Sequence, residues 1–168
     1  MLRRLIVDGY NVIHADASYR DLAERDLDTA RARLVEDVAA FAAGAFRATV
    51  VFDGAGRSAP DEGVHHVAGV AVVFSRGGAD ADTVIESLAR RARERGEGAV
   101  VVTSDAQTQW AVMSGSTTRM SAAEFVRESR ENAVRVSHSR SGGIRGPVEE
   151  RVDPEVRAAL FRWARSGR

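Results

Sequence analysis

Four aspartates carry the chemistry this sequence can be read for. Asp8 closes a short apolar run at residues 4–7, and Asp53 closes a β-branched run at 46–52. Asp82 falls just inside a helical stretch that follows a third apolar run at 67–74, and Asp105 follows a fourth at 99–103. In an open parallel α/β sheet all strand carboxyl ends lie on one edge, and ligands bind there at the topological switch point. Carboxylates brought together on such a rim raise one another's pKa, so their charge calls for a partner. Magnesium prefers oxygen ligands and commonly bridges one or two carboxylates to substrate phosphates. Two such ions about 4 Å apart can stabilise the attacking and leaving oxygens of phosphodiester hydrolysis. Taken singly, each aspartate also reads as a turn former or a helix cap. Asp53-Gly54 is a turn pair and Asp80 a good N-cap; the occurrence of four acids at equivalent edges favours a cluster.

Other residues are secondary candidates. Asn11, three after Asp8, could orient water or phosphate, or serve an Asx-turn. Glu86 is one helical turn beyond Asp82, as an outer-shell ligand or a solvated acid. The hydroxyls of Thr103 and Ser104 could contact a water or cap the next helix. His14, His65, His66 and His138 show no metal-ligand spacing, and His65-His66 reads as a solvated pair in a loop. Gly54-Ala55-Gly56 lacks the third glycine of a dinucleotide fingerprint. Trp110 reads as core.

The elements that must position these residues alternate between strand and helix. Strands are expected at 4–7, 46–52, 67–74, 99–103 and 117–120, and helices at 27–43, 80–95, 106–114 and 122–130. A polar loop is expected at 55–66 and a mobile Ser/Gly/Arg-rich loop at 137–148. Asp153-Pro154 opens a last helix, with Asp153 as N-cap. Fully apolar strands such as Val100–Val102 imply burial on both faces, hence a parallel sheet between helix layers. The fold class expected is a single α/β domain of three layers, with a central, mainly parallel sheet.

Composition narrows the classes. At 168 residues the chain suits one domain that buries about 70% of its unfolded surface. It has no cysteine, which excludes disulfides, thiolate zinc sites and cysteine nucleophiles, and fits a reducing, cytoplasmic setting. The start, MLRRLIVDGYN, lacks the apolar stretch of a signal peptide, and no membrane span or small organic cofactor is implied. Charges balance at 24 to 24, and every cation is arginine, which excludes Schiff-base and Walker-type lysines. Zero net charge argues against bulk polyanion binding and leaves room for local basic patches.

At five places the sequence resembles the YacP-like group of NYN-domain proteins, within the PIN-like nucleases. These are LIVDGYNVIHA (5–15), VVFDGAG (50–56), GADADTVIESLARRA (78–92), VVVTSDAQTQWAV (100–112) and STTRMSAAEF (116–125), in family order. The A-D-x-x-I-E element falls on Ala81-Asp82-Thr83-Val84-Ile85-Glu86, so the resemblance gives the acidic role to Asp82 and not to Asp80. It implies a PIN-like α/β/α fold, dependence on Mg²⁺ or Mn²⁺, and cleavage of single-stranded RNA. Some relatives act on the ribosome, so translating mRNA is an implied substrate and the ribosome an implied partner.

The expected function is therefore a metal-dependent endoribonuclease. Asp8, Asp82 and Asp105 are its catalytic residues and metal ligands, and Asp53 holds a second ion or completes the shell. Asn11, Thr103, Ser104 and Glu86 are outer-shell or phosphate contacts. Arg57, Arg76, Arg119 and Arg145 are the arginines assigned to RNA. Residues 1–135 form the nuclease domain, and 136–168 a flexible basic segment and C-terminal helix packed on it. Two rivals remain. One is an RNA- or ribosome-binding module with weak or no nuclease activity. The other is a different Mg²⁺-dependent phosphotransfer enzyme, TOPRIM-like or phosphatase-like, in which Asp80 and Asp82 form a D-x-D pair.

Overall fold

The computed structural model describes residues 2–54, 64–75, 80–104 and 116–140. Among these residues, six strands form one sheet: β1 (Arg3–Asp8), β2 (Phe46–Phe52), β3 (Val64–Val67), β4 (Val70–Phe74), β5 (Ala99–Val102) and β6 (Thr117–Met120). Five helices accompany them among the described residues: α1 (Gly9–Ala15), α2 (Ala17–Arg25), α3 (Leu27–Ala42), α4 (Ala81–Glu94) and α5 (Ala122–Arg140). The strand order is β3-β4-β2-β1-β5-β6, and all neighbours are parallel except β3 and β4. The chain builds outward from β1 through β2 to β4, then returns to β5 on the other side of β1. The switch point therefore lies between β1 and β5.

The period of two in a strand sends alternate residues to opposite helix layers. Leu5 and Val7 of β1, Val50 and Phe52 of β2, and Val100 and Val102 of β5 join a core with Val12, Ile13, Leu34, Val38 and Phe125. Ile6, Val51 and Val101 face the other way, against Ala81, Ile85 and Ala89 of α4, with Val84 and Leu88 alongside. The result is the expected three-layer α/β architecture with a mainly parallel sheet. Among the described residues no helix is long and apolar enough to cross a membrane.

Several expectations from the sequence change. Residues 8–26 form two helices that apolar periodicity did not reveal. They start on their caps: the side chains of Asp8, Asp16 and Asp26 accept from the backbone N–H of Asn11, Ser18 and Asp28, opening α1, α2 and α3 in turn. The strand expected at 67–74 is a hairpin, and His65 and His66 lie on β3 rather than in a loop. Ala68 and Gly69, both at positive φ (51° and 79°), make the two-residue turn whose twist matches antiparallel strands. The helix expected at 122–130 continues to Arg140, into the segment assigned to a mobile loop. The helix expected at 106–114, the rest of that loop and the helix opened by Asp153-Pro154 lie outside the described residues.

Gly9 joins β1 to α1 at close quarters. A Cβ added there would stand 2.3 Å from the Phe52 ring, so only a hydrogen fits. Tyr10 packs beside Phe52 at 5.3 Å between ring centroids. The Arg31 guanidinium lies over Tyr10, Phe52 and Phe74 at 5.4, 5.9 and 5.7 Å, donates to the Tyr10 hydroxyl, and is held by Asp28 at 2.6 Å. Cation–π contacts and the ion pair thus pin α1 against the end of β2.

Two substitutions measure this packing. Phe125, fully buried on α5 and edge-on to Phe41 of α3 at 5.2 Å, anchors α5 in the core. Phe125→Ala is expected to cost about 3–5 kcal/mol in urea unfolding, whereas Val134→Ala, on an exposed position of the same helix, stays within about 0.5 kcal/mol of wild type. Gly9→Ala is expected to destabilise by about 1–3 kcal/mol, because the Phe52 ring must move. A wild-type unfolding midpoint for Gly9→Ala would show that α1 approaches Phe52 more loosely than this.

Candidate active site at the carboxyl edge of the sheet

Asp8 is the last residue of β1 and the N-cap of α1, and it is 9% exposed. One carboxylate oxygen accepts from the Asn11 backbone N–H at 3.1 Å, and the other from the Thr103 hydroxyl at 3.4 Å. Thr103 follows β5 and is fully buried. Because Val7 pairs with Val102, the two residues leave the sheet side by side at the switch point. The Asn11 side-chain oxygen accepts from the Ser104 N–H at 2.8 Å, and the Ser104 hydroxyl accepts from the Ala122 N–H at 3.1 Å. A continuous line of hydrogen bonds therefore ties β1, α1, the end of β5 and the start of α5. Asn11 links the first turn of α1 to the residue after Thr103, a role beyond either reading of the sequence. Ser104 thus supplies an acceptor to the start of α5.

Asp53 sits after β2, two residues past the partner of Asp8, so it stands about 7 Å further along its strand direction. It is half-buried and accepts from the Ser75 hydroxyl at 3.1 Å. Ser75 also accepts from the Gly54 N–H at 3.0 Å. A Cβ at Gly54 would lie 2.1 Å from the Ser75 carbonyl oxygen, so the Asp-Gly pair here serves close strand packing as well as a turn. Ser75, buried at the end of β4, was not singled out from the sequence. It ends its strand in register with Asp53, and the strand-end rule that selected the acids would have found it.

At the start of α4, Asp80 is the N-cap. It accepts from the Thr83 N–H at 2.8 Å and the Thr83 hydroxyl at 2.6 Å, and these hydrogen bonds hold its carboxyl below the usual range. Asp82 is the second helical residue and half-buried, in the register expected, while Glu86 is exposed. The partial positive charge at a helix start favours an anion there by about 0.3–1 kcal/mol. Arg119 is exposed on edge strand β6, one residue before its carboxyl end. Asp105, Arg57, Arg76 and Arg145 lie outside the described residues.

Among the described residues, the side-chain donors named on this edge are hard oxygens: carboxylates, hydroxyls and an amide carbonyl. That set suits Mg²⁺ or Mn²⁺ and not a soft metal. Among the described residues, no three acids or histidines gather closely enough to hold one ion. Asp8 is held from two elements, by Asn11 of α1 and Thr103 after β5, and Asp105 is two residues beyond its partner Thr103 in sequence.

Comparison with known proteins agrees with the architecture. Residues 5–165 match the family model of the YacP-like NYN domain. The YacP protein of Bacillus subtilis strain 168 is 33% identical over 134 residues, covering 74% of this chain and 73% of that protein. A crystal structure of Rae1 (YacP) from Bacillus subtilis superposes with a TM-score of 0.68 at 28% identity, covering 98% of this chain and 95% of that one. A mutant form of the same Bacillus protein gives a TM-score of 0.71 at 26% identity, over 96% and 91%. The chain belongs to the YacP-like NYN domain family, a group related to the PIN-like nucleases.

Proposed function

We propose that this protein is a metal-dependent endoribonuclease that cleaves single-stranded RNA, with Asp8, Asp82 and Asp105 as catalytic ligands and Asp53 completing the shell. The observation that carries this reading is Asp8: a buried carboxylate at the switch point, aimed by Asn11 and Thr103 from two elements, in a chain of a nuclease-related family. Asp80 has its carboxylate engaged as a cap, which favours Asp82 over a D-x-D pair as the acid from α4.

A bound Mg²⁺ or Mn²⁺ supplies Lewis-acid stabilisation of phosphoryl charge and lowers the pKa of water. The chain's own residues do the positioning. Asn11 and Thr103 hold the Asp8 carboxylate in one orientation, so little reorganisation is needed when RNA arrives. Ser75 does the same for Asp53. Arg119, with Arg57, Arg76 and Arg145, would hold the phosphate backbone against the repulsion of the acidic rim. No histidine or lysine is required as general base. Translating mRNA on the ribosome is the substrate that the family resemblance implies.

Cleavage of a labelled single-stranded RNA by the pure protein, in Mn²⁺ or EDTA and with or without ribosomes, tests this reading. Asp8→Asn and Asp82→Asn should each lower the rate by orders of magnitude, and Asp80→Asn should leave it near wild type, because Asn caps a helix about as well as Asp. An inactive Asp80→Asn beside an active Asp82→Asn would favour the phosphotransfer rival. No cleavage under any condition, with RNA still bound, would favour the binding module.

Metal binding should also appear as stability. An ion that binds the native site alone shifts unfolding by mass action, and it relieves repulsion among the acids. The melting temperature is expected to rise with Mg²⁺ and further with Mn²⁺. Asp8→Ala should abolish that rise, and an equal rise in the variant would place the ion elsewhere.

A further inference from the structure

The opposite edge of the sheet gathers positive charge. Arg4 of β1 and Arg47 of β2 are registered neighbours in adjacent parallel strands. Arg4 is paired at 2.5 Å with Glu97, which is buried. That hydrogen bond holds the Glu97 carboxyl below the usual carboxylate range against the opposing pull of burial, and Arg47 and Arg95 act with it. Arg3 reaches across β5 to the Thr118 hydroxyl at 3.3 Å, beside Gly98. Arg4, Arg47 and Arg95 thus bear on one carboxylate, with Arg3 alongside. Glu94, the other acid at this end of α4, pairs with Arg90 at 3.9 Å.

Some arginines here have an ordinary explanation. Arg91 and Arg93 occupy the last turn of α4, where cations offset the helix dipole. Arg3 and Arg47 have no such role: they are the first residue of β1 and the second of β2, and both are exposed. Their charge matters because the chain as a whole is neutral. Long-range attraction for a polyanion then depends on segregation of charge, and the carboxyl edge presents acids that repel phosphate.

We propose that the amino edge of the sheet, at Arg3, Arg4, Arg47 and Arg95, is a second contact for the RNA phosphate backbone, separate from the acidic rim. The choice of RNA as the polyanion rests on the ribonuclease reading. β1 separates the two sites by about 17 Å, at roughly 3.3 Å per residue. A long RNA can engage both edges, whereas a very short one seated at the rim engages one. The amino edge therefore contributes affinity for long substrates and leaves the chemistry at Asp8 unchanged.

The test measures binding of a fluorescent 30-nucleotide single-stranded RNA in EDTA, across a range of salt. The variant is Arg3→Gln/Arg47→Gln/Arg95→Gln, which leaves the Arg4–Glu97 pair intact. The control, Arg25→Gln/Arg127→Gln/Arg135→Gln, removes equal charge from the helices of the other layer. Each lost single-strand contact lowers the slope of log K against log salt by about 0.7, so the amino-edge variant should lose about 2. Its affinity at low salt should fall at least tenfold, and its rate on a six-nucleotide RNA should change less than twofold. Arg47→Gln alone should lose about 0.7 of slope, which covers a misfolded triple variant. Equal losses in variant and control, or an unchanged slope, would overturn the proposal. Selective loss of binding in a protein that cleaves no RNA would uphold this surface while removing the nuclease reading.

Discussion

Burial of the Asp8 carboxylate is the constraint around which the rest of the site is arranged. β1 lies inside the sheet, flanked by β2 and β5, so its last residue has little water to rely on. A carboxylate there must be met by donors or by a cation, since burying an unpaired charge costs several kcal/mol. The structure brings the Asn11 N–H from the first turn of α1 and the Thr103 hydroxyl from the end of β5. Those two requirements fix where α1 begins and where β5 stops. The Gly9 contact with Phe52, the Asn11–Ser104 bond and the Ser104 cap on α5 follow from the same geometry.

A second consequence is that the edge is stiff before any ligand arrives. Asp8, Asp53 and Asp80 are each held by side-chain or backbone hydrogen bonds within the protein. Preorganised groups cost little rearrangement during a reaction, and this is where folding energy becomes useful to chemistry. At the start of α4, Asp80 closes the helix end and Asp82 is half-buried as the second helical residue.

Charge is arranged along the strands as much as between layers. Acids close β1 and β2 and arginines stand near their starts, so a chain with no net charge separates charge along these strands. Parallel topology makes this possible, because it places every strand start of the parallel set on one edge and every strand end on the other. In an antiparallel sheet the same residues would alternate between edges and their fields would largely cancel.

Much of this was legible in the sequence because its physical cause is local. Apolar runs bounded by Asp-Gly or Asp marked β1 and β2, the helical stretch at 80–95 marked α4, and Asp80 read as its cap. Strand–helix alternation was enough for a parallel sheet, and hence for acids sharing an edge. The parts that escaped depend on partners distant in the chain or on signals too short to show a period. The helices α1 and α2 are seven and nine residues long and start on aspartate caps, so no apolar stripe announced them. β3 is an edge strand whose half-exposed residues resemble a polar loop until β4 pairs with it. Asn11 gains its bridging role from Ser104, 93 residues away, and Ser75 gains its role from Asp53, 22 residues away. Residue types at strand ends determine which chemistry is available; the tertiary fold alone decides which donor reaches which carboxylate, because hydrogen bonds require approach within about 3 Å and sequence spacing across a crossover does not encode it.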